Sequence, residues 1–200
     1  MLMKFVFRRV FPAITLYYFT IQAYVMYNAF YGEPRQISVQ PIDVLALPDT
    51  IQTTRGEIIQ DMLGYYHAHL EWRHAHPNII IQDPLTTVIG IEWATHHVRF
   101  WQVYMGIRDI KSTLKSVVHY NSSIRLDLEL RSITRFGRMD MDVATWLELE
   151  NQDNILKITR STEEWYGISH ITQENMLFPI GLSAEIIRSM HAKIIFLFPL

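Results

Sequence analysis

Ser123-Ile124-Arg125-Leu126-Asp127-Leu128-Glu129-Leu130-Arg131 decides the fold. Apolar Ile124, Leu126, Leu128 and Leu130 alternate with charged Arg125, Asp127, Glu129 and Arg131. A period of two places the first set on one side of a strand and the second on the other, as in a sheet with one buried and one wet face. The pattern runs through 123–135 and recurs in 140–150, where Met141, Val143, Thr145, Leu147 and Leu149 share a face. Asn151-Gln152-Asp153-Asn154 reads as a turn into a last strand over 155–165, and 112–120 reads as a strand before the series. Four consecutive strands with short turns predict an antiparallel sheet.

The greasy face of that sheet needs a cover, and two amphipathic segments upstream supply it. Thr54-Arg55-Gly56-Glu57 has the capping-box spacing, in which the threonine oxygen accepts an orphan N–H and the glutamate reaches back. Ile58, Ile59, Met62, Leu63, Tyr66 and Leu70 follow at helical spacing, predicting a helix that ends near Arg73, before Pro77. Ile79-Ile80-Ile81-Gln82 reads as a short strand, followed by Asp83-Pro84, a second extended piece to Ile89, and a break at Gly90. Trp93, Ala94, His97, Val98, Trp101, Tyr104 and Met105 mark a second helix, ending at Gly106. The order predicts an α+β cone: a curved antiparallel sheet wrapped around N-terminal helices.

Outside the cone lie two apolar ends. Val10 to Gly32 carries no charged side chain and is preceded by Lys4, Arg8 and Arg9. Its length would cross a bilayer core, but its threonines and tyrosines make it only moderately apolar. It reads as a signal anchor, a basic targeting peptide, or a helix lying on a membrane or on the domain itself. Residues 1–32 are thus a hydrophobic anchor or targeting segment. Residues 33–48, with Pro34, Pro41 and Pro48, are an extended linker. The domain spans 49–170, and 171–200 is an apolar tail that caps the cone, adds to an interface or touches lipid. The expected location is membrane-associated, with cytoplasmic or mitochondrial placement as alternatives.

Composition excludes several functions. The 200 residues carry 18 Lys plus Arg against 20 Asp plus Glu, so no basic excess points to nucleic acid. Cysteine is absent, which removes disulfides, thiolate catalysis and Cys-ligated metals. No Gly-rich phosphate loop, GxSxG or dinucleotide fingerprint occurs, so no nucleotide cofactor is expected. None of the nine histidines pairs with another at i and i+4, so no metal site is expected.

Two motifs carry a resemblance. Ile81-Gln82-Asp83-Pro84-Leu85 with Gly90, and Lys157-Ile158-Thr159-Arg160 through Trp165 and Gly167, resemble patterns of the nuclear transport factor 2-like superfamily. Over about residues 50–199 the chain looks like the SnoaL-like proteins of fungi. The resemblance implies a cone enclosing an apolar pocket for a flat, hydrophobic small molecule of polyketide or terpenoid type, with no cofactor. It also implies a homodimer through the outer sheet face, where the row Arg125, Asp127, Glu129 and Arg131 is expected.

Carried over from ketosteroid isomerase, the resemblance makes Asp83 the general base and Tyr66 a donor to developing oxyanion charge. Dehydratases and cyclases of the superfamily pair pocket histidines with an aspartate, which points to His97 or His119 with Asp83. Trp93, Trp101, His69, Thr145 and Trp165 are the expected ligand wall. The chain departs from the pattern where related sequences carry His-Glu after the arginine; Ser161-Thr162 stand here, and a base at that spot is missing. The competing reading of Asp83 is turn chemistry, with its oxygens taken by backbone N–H groups. The competing function is non-catalytic binding of lipid or a partner at a membrane.

Overall fold

The computed structural model describes residues 10–67, 71–104, 106–152, 155–172, 176 and 178–199. Helix α1 spans Phe11–Tyr31, α2 Asp49–Tyr66, α3 Ile91–Tyr104 and α4 Ile180–Phe196. The strands are β1 Ala75–Gln82, β2 Thr87–Ile89, β3 Arg108–His119, β4 Ser123–Thr134, β5 Gly137–Gln152 and β6 Ile155–Trp165. They form one sheet in the order β2-β1-β6-β5-β4-β3. The four-strand series is antiparallel as expected, whereas β1 joins β6 in parallel, making the sheet mixed. The chain between β1 and β6 is long enough for either direction, and no turn signal distinguishes them.

Ile124, Leu126, Leu128, Val143, Leu147 and Ile158 form the inner wall, against which α2 buries Ile58, Met62 and Tyr66 at successive turns. Helix α2 begins five residues before the expected cap. Pro48 flanks its start and Asp49 puts a negative charge in the first turn, where the helix dipole favours it. Thr54 lies inside the helix and returns its hydroxyl to the Thr50 carbonyl, so the capping box does not form. The helix also ends at Tyr66 rather than near Arg73, because by His74 the chain is already bonded to β6 through Ile158 N–H. Strand β1 includes Pro77, tolerated where the register to β6 shifts between Ala75 and Ile80. Gly90, at φ +91°, turns β2 into α3 while its N–H bonds the Ile79 carbonyl.

The N-terminal segment is a helix with one face on the domain. Ile21 and Val25 pack against Ile171, Ala184 and Ile187, so α1 and α4 form a second layer. Among the described residues no helix is long and apolar enough to cross a membrane. The linker runs along the sheet: Arg35 N–H bonds the Gly167 carbonyl and Ile42 N–H bonds that of His119. Arg35 also pairs with buried Glu164 at 2.7 Å and lies over the Trp146 ring. The charged row on the outer face is internally paired, Arg125 with Asp127 at 2.8 Å and Lys115 with Asp142 at 2.6 Å.

Arg55 ties α2 to the sheet. It is buried and donates to the carbonyls of Tyr120 at 3.0 Å and Asn121 at 2.7 Å in the β3–β4 turn. Arg55→Met keeps the bulk but strands those acceptors, and should cost about 3 kcal/mol in chemical denaturation. Thr54→Ala, which removes only a back-bonded hydroxyl, should change stability by less than about 0.5 kcal/mol.

Candidate functional site

Strand pairing assembles a polar row on the inner wall. Gln82 stands opposite Thr162 in the parallel ladder, so the next pair in register is Asp83 and Glu163. Glu163 stands opposite Thr145, and Thr145 opposite Leu126. Residues opposite one another share a face, so a carboxylate, a carboxyl and a hydroxyl line up across three strands. Tyr66 of α2 reaches down onto this row.

Glu163 is the centre of the site. The Tyr66 hydroxyl donates to Glu163 Oε2 at 2.9 Å and lies 2.6 Å from Thr145 Oγ1. Since the phenol's one proton faces Glu163, Thr145 donates to Tyr66, giving a chain of hydroxyls that ends on the carboxylate. Trp165 Nε1–H donates to Glu163 Oε1 at 3.2 Å. Burial, and then the nearby Asp83 charge, push the Glu163 carboxyl up to about 7, against the two donors that favour its anion. Burial, and then Glu163, raise both Tyr65 and Tyr66 well above the ordinary phenol range, so these phenols stay protonated donors. Tyr66 and Thr145 are sealed, whereas Tyr65, Glu163 and Trp165 keep part of their surface accessible.

Asp83 is committed to its own turn. Its Oδ1 accepts the N–H groups of Leu85 and Thr86, each at 2.7 Å, and its Oδ2 accepts the Thr86 hydroxyl at 2.5 Å. The geometry therefore gives it turn chemistry. His97 Nε2 stands 3.0 Å from Thr86 Oγ1 and 3.6 Å from Asp83 Oδ2. Trp101 Nε1–H donates to that nitrogen at 2.8 Å, so Nε2 is an acceptor and the ring is neutral. Burial, the dominant influence, lowers the affinity of His97 for a second proton. Asp83, Thr86, His97 and Trp101 thus form one buttress beside Glu163.

Other expected residues lie apart. His119 is on β3, four strand spacings or about 19 Å from β1, beside Arg55. Trp93 stacks on Phe196 of the tail at 4.3 Å instead of facing Glu163. His69 lies outside the described residues. The hollow cone expected is in large part a packed core, because Tyr65 and Tyr66 with Trp72 and the aliphatic residues of α2 fill it. A cavity of about 580 Å³ lies elsewhere, between α3 and the tail at Glu92, His96, Arg99 and Phe198.

Three groups of this region were not foreseen. Glu163 was legible: counting back by two from Trp165 puts it on the inner face, one residue past the spot where the motif departs. His170 follows β6, and its Nε2–H donates to the Glu163 carbonyl at 2.6 Å. Burial first, and then the Arg188 charge, press His170 down to about 4, so it is neutral at physiological pH. Arg188 of α4 is buried near the same turn. Neither has a local sequence signal.

The six strands run β2-β1-β6-β5-β4-β3 in one mixed sheet, with α2 packed on its inner face. No protein-family model matches the sequence, and no curated protein matches it. Among solved structures, the chain is similar to a hypothetical protein with a ketosteroid isomerase-like fold from Catenulispora acidiphila DSM 44928, in complex with trimethylamine. The identity is 12% and the TM-score 0.45, over 53% of this chain and 82% of that one. A candidate SnoaL-like polyketide cyclase from Jannaschia sp. CCS1 gives 15% and 0.46, over 56% and 85%. An NTF2-like protein from Anabaena variabilis ATCC 29413 gives 13% and 0.45, over 56% and 87%.

Glu163 carries a stability signature. Its native value of about 7 lies above the ordinary 4.5, so between those values the folded chain holds a proton that the unfolded chain has lost. This group's contribution is full below pH 4.5 and falls away as pH rises through 7. Glu163→Gln has no such loss. Urea denaturation from pH 4.5 to pH 8 should show the variant gaining on the wild type by on the order of 3 kcal/mol. A constant difference across that range would place the Glu163 carboxyl at its ordinary value.

Proposed function

We propose that this chain is a cofactor-free acid–base protein of isomerase, cyclase or dehydratase type that acts on a hydrophobic small molecule. The observation that carries the reading is a desolvated carboxyl, on a residue that is itself only partly buried, poised near neutrality with a phenol 2.9 Å away. A group titrating near 7 both takes and returns protons at working pH. Glu163 would remove a proton beside a carbonyl or hydroxyl of the ligand and return it at another carbon. Tyr66, held protonated and bonded to Glu163 Oε2, would orient the carboxyl and support its anion once the proton has left. Asp83 and His97 shape the turn beside them and keep a negative charge close enough to raise Glu163. The ligand approaches from the accessible side of the site, at Tyr65 and Trp165.

Proton transfer at carbon leaves an isotopic record even when the substrate is unknown. The full chain would be incubated in D2O with an organic extract of metabolites and the products read by mass spectrometry. Wild type should introduce deuterium into a small set of apolar compounds, and Glu163→Gln should slow that labelling by about 10²–10⁴-fold. The rate should rise with pH to a plateau with an apparent value near 7. No labelling by wild type, or equal labelling by the variant, would refute the reading.

A second reading, membrane attachment, draws on one observation. Helix α1 exposes Phe11, Ile14, Leu16 and Phe19, and α4 exposes Ile186, Met190 and Ile194, with Leu197 just past its end. Apolar helix surfaces following Lys4, Arg8 and Arg9 suit an interface rich in anionic lipid. In flotation with phosphatidylserine vesicles, wild type should rise with the lipid, and the double variant Phe11→Ser, Phe19→Ser should stay below. Flotation of both, or of neither, would remove this reading.

A further inference from the structure

Arg188 is 1% exposed, and among the described residues none of its three guanidinium nitrogens has a hydrogen-bond partner. A guanidinium has five N–H donors and does not shed its charge in proteins. To bury it unpaired is among the costliest arrangements an interior can hold. Asp83 and Glu185 are the acids whose charge reaches it, and neither accepts a hydrogen bond from it. His170, beside it, is neutral and adds no counter-charge. The guanidinium lines a crevice between α1, α4 and the turn after β1, walled by Val25, Asn28, Ala29, Pro84, Ser169 and Ile171.

We propose that Arg188 is the recognition residue of an anion subsite that takes the carboxylate of a small organic acid. One fixed positive charge calls for one negative charge, and the planar fork of arginine matches two carboxylate oxygens. Val25, Ala29, Pro84 and Ile171 give the rest of the acid apolar contact, and Asn28 adds a polar group. About 170 Å³ of atom-free space surrounds the site, but no part of it is wide enough for a free water. Entry of an acid would require the α1 wall to give way. This subsite stands independently of proton transfer at Glu163, since its test reads binding and not turnover.

Thermal unfolding of the full chain would be followed in sodium formate and sodium acetate, with sodium chloride holding the ionic strength constant. The carboxylates should raise the melting temperature saturably, by about 5–10 °C at a hundredfold excess over Kd. Arg188→Met should abolish the response without lowering its own melting temperature in chloride, because an unpaired buried charge is replaced by apolar bulk. If that variant does not fold, Arg188→Lys, which keeps the charge without the fork, should weaken the apparent Kd at least about tenfold. A flat wild-type response, a response that survives in Arg188→Met, or an unchanged Kd in Arg188→Lys would overturn the subsite. Direct titration that finds chloride as effective as formate would overturn the carboxylate assignment.

Discussion

The parallel pairing of β1 with β6 is the constraint on which the site depends. It sets Gln82 against Thr162 and so brings the Asp83 turn beside Glu163, residues 80 positions apart in the chain. Two acidic groups in one low-dielectric neighbourhood do not ionise independently. Asp83 accepts hydrogen bonds from two backbone N–H groups and a hydroxyl. Glu163 accepts fewer hydrogen bonds, and its proton affinity is raised to about 7. Burial makes the larger contribution to its shift, and the neighbouring charge adds to it.

The division of labour follows from hydrogen-bond capacity. The Asp83 oxygens are already engaged by the donors of their own turn. Glu163 accepts from Tyr66 and, at a longer distance, from Trp165, and keeps part of its surface accessible. The Thr145–Tyr66–Glu163 chain orients the phenol proton toward the carboxyl. His170 holds the backbone at Glu163 from the other side. The helical layer steadies the same turn: His191 of α4 bonds the Leu85 carbonyl at 2.9 Å and the Tyr18 hydroxyl of α1 at 2.6 Å. The N-terminal helix therefore contributes to the scaffold around the site as well as exposing apolar surface.

Strand-level reading located the sheet and its inner face well, because a half-buried antiparallel strand writes its geometry into every second residue. Parity places Thr145 on that face, and a count of two back from Trp165, named only as ligand wall, places Glu163 there as well. Helix boundaries were less legible. Thr54 followed by Glu57 matches a cap in spacing, yet a threonine inside a helix satisfies its hydroxyl on the preceding turn equally well. Trp93 and His119 illustrate a different limit: residue type suggests a pocket wall or a base, but a side chain's neighbours belong to other elements.

By itself, the sequence determined the alternation that makes the sheet, the apolar stripes that cover it, and the turn at Asp83-Pro84. These are local properties, set by periods of two and 3.6 and by the φ and donor restrictions of proline and glycine. Only the tertiary structure decided that β1 runs parallel to β6, that aromatic side chains fill much of the cone, and that α1 folds back onto α4. Those outcomes depend on contacts between segments far apart in the chain. The proton affinity of Glu163 and the isolation of Arg188 depend on them too, because a charge responds to the dielectric and the partners around it and not to its neighbours in sequence.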